Sequence, residues 1–334
     1  MLALRTLVTV AILSACDARA LSDGKGDAAE VDPVFRDRDD AVRRALASEE
    51  IAKIERGSGG RSVAFKITLD DGTVGYFKPE QTYAAHWYSE LAAYHIDREL
   101  GLGRVPPSVG RRFPWEPLRE VAADDPHIQE VIVDDDGTVR GCFVWWLPEE
   151  LVPLDPPPGW EAWLRIEPPP AASPYQWISH WKRAVRRAPR SETPRVTNSP
   201  TPSPSERPAE LSDLILFDYL IGNQDRWGGG FNNVRTMGAD GPLLFHDNAN
   251  GFHLGRRQGR YARAQLHALQ RVRRSTIEAL ERFDVQSLEA RLARDPLAPV
   301  LTQRHLADLE QRRQEILDHV NELRATFGDD ATPW

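Results

Sequence analysis

The chain has 334 residues, of which 41% are hydrophobic and 28% charged, with a formal net charge of −8. That length holds one large domain or two lobes around a cleft, and the apolar share is enough for a sizeable core. The acidic balance excludes a non-specific nucleic-acid binder, which needs a basic face; "SHWKRAVRRAPR" is at most a local basic patch.

The first residues, "MLALRTLVTVAILSACDARA", place Arg5 before an apolar run. At about ten residues the run is too short to span a bilayer but suits a signal-peptide core. "LSAC" resembles a bacterial lipoprotein cleavage site, so residues 1–16 read as a signal peptide with Cys16 as the lipidated N-terminus. The alternative is cleavage after Ala20, which gives a freely secreted protein. Both predict export, to the periplasmic or cell-surface side, with any membrane attachment through the lipid alone. Apart from Cys16 only Cys142 is present, so the mature exported chain has no intramolecular disulfide and rests on core burial.

Residues 17–35 are small, polar and acidic, and read as a flexible tether. Asp37 to Gly57 carries Val42, Ala45, Leu46 and Ile54 near helical spacing, which predicts a helix ending at Gly57. Alternating residues on both sides of Asp71-Gly72 predict a β-hairpin, stopped by Pro79 so that Lys78 lies at a strand end. Thr82 to Gly101 reads as a helix with Gly101 as its stop, and strand-like sequence runs from "RVPPSVGRRF" to "CFVWWLP". Asp155 to Pro208 is rich in Pro, Ser and Arg and reads as an irregular insertion. "AELSDLILFDYLIG" is an apolar helix that leads into "NQDRWGGGFNN", and "LLFHDN" is a short strand-like run. Near the end, Leu306, Leu309, Ile316, Val320 and Leu323 form the stripe of an amphipathic packing helix.

The order of parts is that of a phosphoryl-transfer enzyme: a hairpin, a Lys at a strand end, a Glu on the next helix, then two loop aspartates. Lys78 suits the α- and β-phosphates, and Glu90 suits pairing with that Lys. Asp225 can accept or orient a substrate hydroxyl. Asp247 can bind the divalent metal that bridges the phosphates, with Asn232 or Asn233 as a second ligand. Each piece alone more often has a bland role, as an edge charge, a surface Glu or a turn residue. The aspartates are stronger signals, because each follows an apolar segment and so lies at the rim of a core.

"LILFDYLIGNQDRW" and "LLFHDNANGFHLG" resemble the two catalytic-loop segments of the secretory-pathway kinases typified by four-jointed and the Golgi casein kinase. "SELAAYHIDRELGLGRVPPSVGR", "YFKPEQ", "FVWWLPEEL" and "RRSTIEAL" are similar to further family segments, in collinear order from about Gly60 to Leu323. The resemblance implies a two-lobed α+β protein-kinase-like fold, with a β-rich lobe over 36–147 and a mainly helical lobe over 148–328. A Pro/Ser-rich insertion falls near 187–209. It also implies transfer from a nucleotide, ATP with Mn²⁺ or Mg²⁺, to a protein Ser/Thr or a glycan hydroxyl. Lys78 and Glu90 would serve the nucleotide, Asp225 would be the base and Asp247 the metal ligand. Trp145, Trp146 and Leu147 would lie at the lobe junction, where an adenine ring stacks or slots; the two tryptophans read equally as opposite faces of a core strand.

Two departures stand against an active enzyme. Where the Golgi casein kinase carries a second metal-binding Glu this chain has Ala85, with Glu80 as a substitute. Asn232 also stands seven residues after Asp225, against the usual kinase spacing of five. A catalytically inactive pseudokinase, acting as a surface binding or activator module, is therefore the alternative. A phosphohydrolase built on His246-Asp247 and His253 finds no supporting His or Asp spacing.

Overall fold

The computed structural model describes residues 33–58, 60–83, 86–169, 173–175, 201–227, 231–252 and 256–334. Cys16, both expected cleavage sites, most of the tether, the basic patch, Ala85 and His253 lie outside the described residues.

Five strands form one antiparallel sheet in the order β1-β2-β3-β5-β4: β1 Ile51–Arg56, β2 Phe65–Leu69, β3 Val74–Pro79, β4 Ser108–Pro114 and β5 Thr138–Trp145. The Asp71-Gly72 hairpin joins β2 to β3, with Gly72 at φ +86° as such a turn requires. Strand alternation buries Phe65, Ile67, Leu69, Phe77, Val139 and Phe143 on one face. Helices α1 (Asp39–Ser48) and α3 (Trp115–Val121) cover that face through Leu46 and Leu118. Gly75 has no room for a side chain, since a Cβ there would stand 2.1 Å from the Phe143 ring.

The other face of the sheet meets α2 (Trp87–Glu99) and the helical half of the molecule. Helix α4 (Arg207–Ile221) runs through the centre of that half with every residue buried. Its apolar residues suit that position, and its buried charges are paired, Arg207 with Glu210, Asp213 with Arg273 and Asp218 with Arg226. Around it lie α5 (Arg256–Ala268), α6 (Arg274–Arg282), α7 (Val285–Leu292) and α8 (Gln303–Phe327). The α8 stripe of Leu306, Leu309, Ile316, Val320 and Leu323 is buried against this core, as its spacing implies. A small sheet of β6 (Leu151–Pro153), β7 (Arg235–Met237) and β8 (Leu243–Leu244) carries the loops that hold the candidate site.

Two expectations need correction. The helix anticipated over Asp37 to Gly57 ends at Ser48, and Ile51–Arg56 is an edge strand paired with β2. Ile51 and Ile54 fit a helical stripe by spacing, yet their half-buried positions are on the sheet. The tether anticipated to end at residue 35 is also too long. Phe35 is buried against Leu147 and Leu244, and the Val34 N–H donates 3.1 Å to the Gly103 carbonyl.

Candidate active site

Alternation along β3 points Phe77 into the sheet core and Lys78 towards α2. Glu90 lies in the first turn of α2 and is buried. Lys78 Nζ donates to Glu90 Oε1, and 2.8 Å to Asp247 Oδ1. Burial by itself would lower the Lys78 pKa, but the Asp247 and Glu90 carboxylates outweigh it and raise it well above the usual lysine range. The Lys78 charge in turn holds the Asp247 carboxyl below the usual aspartate range, against the effect of burial. The Asp247 side chain remains 43% exposed, against 15% for Lys78. This carboxylate therefore opens to solvent.

Helix α2 is tied to the Asp247 loop at two further points. The His86 N–H donates 3.0 Å to the Ala249 carbonyl, and Ser89 Oγ donates 2.9 Å to the Gly251 carbonyl. Glu90, Lys78, Asp247 and the loop after it thus form a closed ring of contacts.

Asp225 reaches the same place from α4. Gly222 ends the helix at φ +71°, a left-handed cap that turns the chain sharply into Asn223–Asp225. The Phe252 N–H comes back to the Ile221 carbonyl at 2.6 Å, so both loops meet at the end of α4. Asn223 spans them: its Oδ1 accepts from the Asp225 N–H at 3.2 Å, and its Nδ2 lies 3.4 Å from the Asp247 carbonyl. Asn250 Nδ2 donates 3.2 Å to Asp225 Oδ2. Asn233 Nδ2 donates 3.2 Å to the Asp225 carbonyl and stands 3.5 Å from Oδ2. Partial burial first, and the charge of Asp247 second, raise the Asp225 pKa, although its residue surface is exposed at the cleft.

Beneath both aspartates lies Arg226, fully buried. Its Nε lies 3.1 Å from Asp218 Oδ2, and one Nη donates 2.7 Å to Asn248 Oδ1. The other donates 3.0 Å to the Asn233 carbonyl and also to the His246 carbonyl. Burial pushes the Asp218 carboxyl up to about 6 even though the Arg226 charge lowers it. Sequence reasoning singled out neither residue, nor Asn223 and Asn250. A signal was present: Asp218 is a charged residue inside "LILFDYLI", and a buried charge requires a partner.

The remaining expected residues separate. Of the two asparagines, Asn233 stands at Asp225, whereas Asn232 is exposed and only its carbonyl is engaged, by Arg235 at 3.0 Å. Trp146 follows β5 on the face that carries Tyr76, with ring centroids 5.6 Å apart, and is 42% exposed. Trp145 and Leu147 lie on the opposite side, packed with Phe35, and Arg38 stacks over Trp145 at 4.8 Å. Both side chains pack into the core that Phe35 and Leu244 complete, on the side away from Tyr76 and Trp146. Glu80 is bound by Arg140.

Among the described residues no three His, Cys, Asp or Glu side chains gather to hold a metal ion. A single exposed carboxylate, Asp247, instead suits Mg²⁺ or Mn²⁺, which take their other ligands from water and substrate phosphates. The Asp247 Oδ2 accepts none of the described hydrogen bonds, which leaves it available for such an ion.

Residues 173–331 match the family model described as "Golgi casein kinase, C-terminal, Fam20". The human extracellular serine/threonine protein kinase FAM20C is 26% identical over 87% of this chain, which spans 56% of that protein. The zebrafish (Danio rerio) glycosaminoglycan xylosylkinase is likewise 26% identical, over 87% of this chain and 76% of its own length. The human pseudokinase FAM20A is 29% identical over 69% of this chain and 45% of its own length. The crystal structure of the Golgi casein kinase with Mn/ADP bound superposes with a TM-score of 0.64 at 20% identity, covering 86% of this chain and 77% of that one. The kinase-like fold is therefore shared.

Proposed function

We propose that this chain, which is similar to the secretory kinases of the Fam20 family, transfers the γ-phosphoryl group of a nucleotide to a protein or glycan hydroxyl outside the cytoplasm. The donor is ATP with Mn²⁺ or Mg²⁺. One observation carries this reading: Lys78 on β3, Glu90 on α2 and Asp247 from the loop after β8 form one bonded cluster, and Asn223 links the Asp247 and Asp225 backbones.

In this reading Lys78 sets a fixed positive charge on the donor phosphates, and Glu90 keeps its ammonium in place. Asp247 would hold the metal, which would supply positive charge to offset that of the donor phosphates. Asp225 orients the acceptor hydroxyl and takes its proton as the oxygen bonds to phosphorus and the bond to the departing nucleoside diphosphate breaks. Trp146 and Tyr76, on the cleft face of the sheet, suit the base. Cys16, if lipidated, would keep the enzyme on the outer side of a membrane near its acceptors.

The test is transfer of label from ATP with Mn²⁺ to exported proteins or glycans by the purified mature chain, compared with Asp225→Asn and Asp247→Asn. Transfer that survives in either variant would remove the reading. A non-catalytic nucleotide-binding module is the second reading, favoured by the exposed position of Asn232. Stabilisation by nucleotide without any turnover would select it.

A further inference from the structure

Arg226 presents five N–H donors in a planar fork, and all of them have acceptors: the Asp218 carboxylate, the Asn248 side chain and the carbonyls of Asn233 and His246. Those partners come from α4, the loop before β7 and the loop after β8. Two of them flank Asp247 directly, one residue to either side. Asp247 adopts φ +56° and Phe231, near Asn233, φ +64°. Non-glycine residues in the left-handed region cost energy and persist where surrounding contacts over-determine them.

We propose that Arg226 is a positioning residue that couples the acceptor loop to the metal loop and thereby sets the placement of Asp225 relative to Asp247. The inference rests on the phosphoryl-transfer reading for its kinetic consequences, but the coupling itself is a property of the two loops. Asp225 is its chain neighbour, so a shift of the guanidinium moves the base. The His246 carbonyl and Asn248 amide flank Asp247, so the same shift moves the metal ligand. Asp218 supplies the counter-charge from the end of a fully buried helix, which gives the fork a rigid footing. Lysine offers three donors on one nitrogen and cannot reach four separate acceptors.

The experiment compares the full chain with Arg226→Lys and Asn248→Ala by amide hydrogen exchange, Mn²⁺ titration with ADP, and steady-state transfer. Coupling requires exchange to rise about tenfold or more in both 223–227 and 246–250, while β2 and β3 keep their protection. Mn²⁺ affinity and kcat should each fall on the order of 10–100-fold, as with other residues that orient metal ligands. A rise confined to one loop, or a uniform rise that includes the N-terminal sheet, overturns the proposal. So does a lower melting temperature with unchanged kcat and Mn²⁺ affinity. If Arg226→Lys does not fold, Asn248→Ala decides alone, since it removes a single acceptor. If the wild-type chain neither binds ADP nor transfers phosphate, the kinase reading fails, while the exchange pattern still decides the coupling.

Discussion

Lys78 and Asp247 are separated by 169 positions in the chain, yet Nζ and Oδ1 lie 2.8 Å apart. Each holds the other charged: the carboxylate raises the ammonium pKa and the ammonium lowers that of the carboxylate. A charge pair so placed between a sheet and a loop ties together the two sides of the cleft, and Glu90 completes it from α2.

Replacing Lys78 by Met should therefore cost about 10²–10³-fold in kcat/KM, the range seen when one preorganised charge is removed from a transition-state site. Glu90→Gln should cost less, because Lys78 keeps Asp247. Steady-state transfer assays check the order. An equal loss in both variants would mean that Glu90 does more than hold the lysine.

The two asparagines should behave differently. Asn233→Ala removes the amide that bonds the Asp225 carbonyl, so activity should drop about tenfold or more. Asn232→Ala changes an exposed side chain and should leave kcat/KM within about twofold. The reverse outcome would place Asn232 at the metal.

The neighbouring tryptophans separate affinity from stability. Trp146→Ala should raise the KM for nucleotide by about tenfold, if stacking at the cleft supplies roughly 1–1.5 kcal/mol. Trp145→Ala should leave KM alone and destabilise the fold by about 2–3 kcal/mol, since its ring packs on Phe35 beneath Arg38. Denaturant melts and nucleotide titrations of both variants make the comparison.

Asp218 gives a pH dependence with a definite sign. Burial raises its pKa from 3.8 to about 6, so the folded chain holds that proton more tightly than the unfolded chain. The contribution to stability is then fully present below pH 3.8 and is lost as pH rises through about 6. Relative to Asp218→Asn, the wild type should lose on the order of 3 kcal/mol between pH 4 and pH 7. Urea melts across that range measure the difference. A flat or rising difference would show that the carboxyl is not raised. Ionised Asp218 thus costs stability while it anchors Arg226, a trade that functional sites often make.

Much of the site could be read along the chain, because the relevant signals are local. Pro79 and the Asp71-Gly72 turn located Lys78 at the end of β3, and apolar runs before Asp225 and Asp247 placed both at the edge of a core. The edge strand Ile51–Arg56 was missed because its two isoleucines stand three apart, a helical spacing that the strand accommodates only through a register shift between Ile51 and Lys53. Asn232 and Asn233 could not be told apart by spacing, since backbone torsion in the intervening loop decides which amide turns inward.

Hydrophobic alternation, turn residues and helix stops therefore determined the elements and the identity of the charged groups at their ends; these depend on neighbours within a few residues. Tertiary packing alone decided which tryptophan is exposed beside Tyr76, which asparagine reaches Asp225, and that a buried Arg226 binds four residues from three segments. Such choices follow from satisfying buried polar groups with whatever partner the fold brings near, and that partner is not written at any fixed distance along the chain.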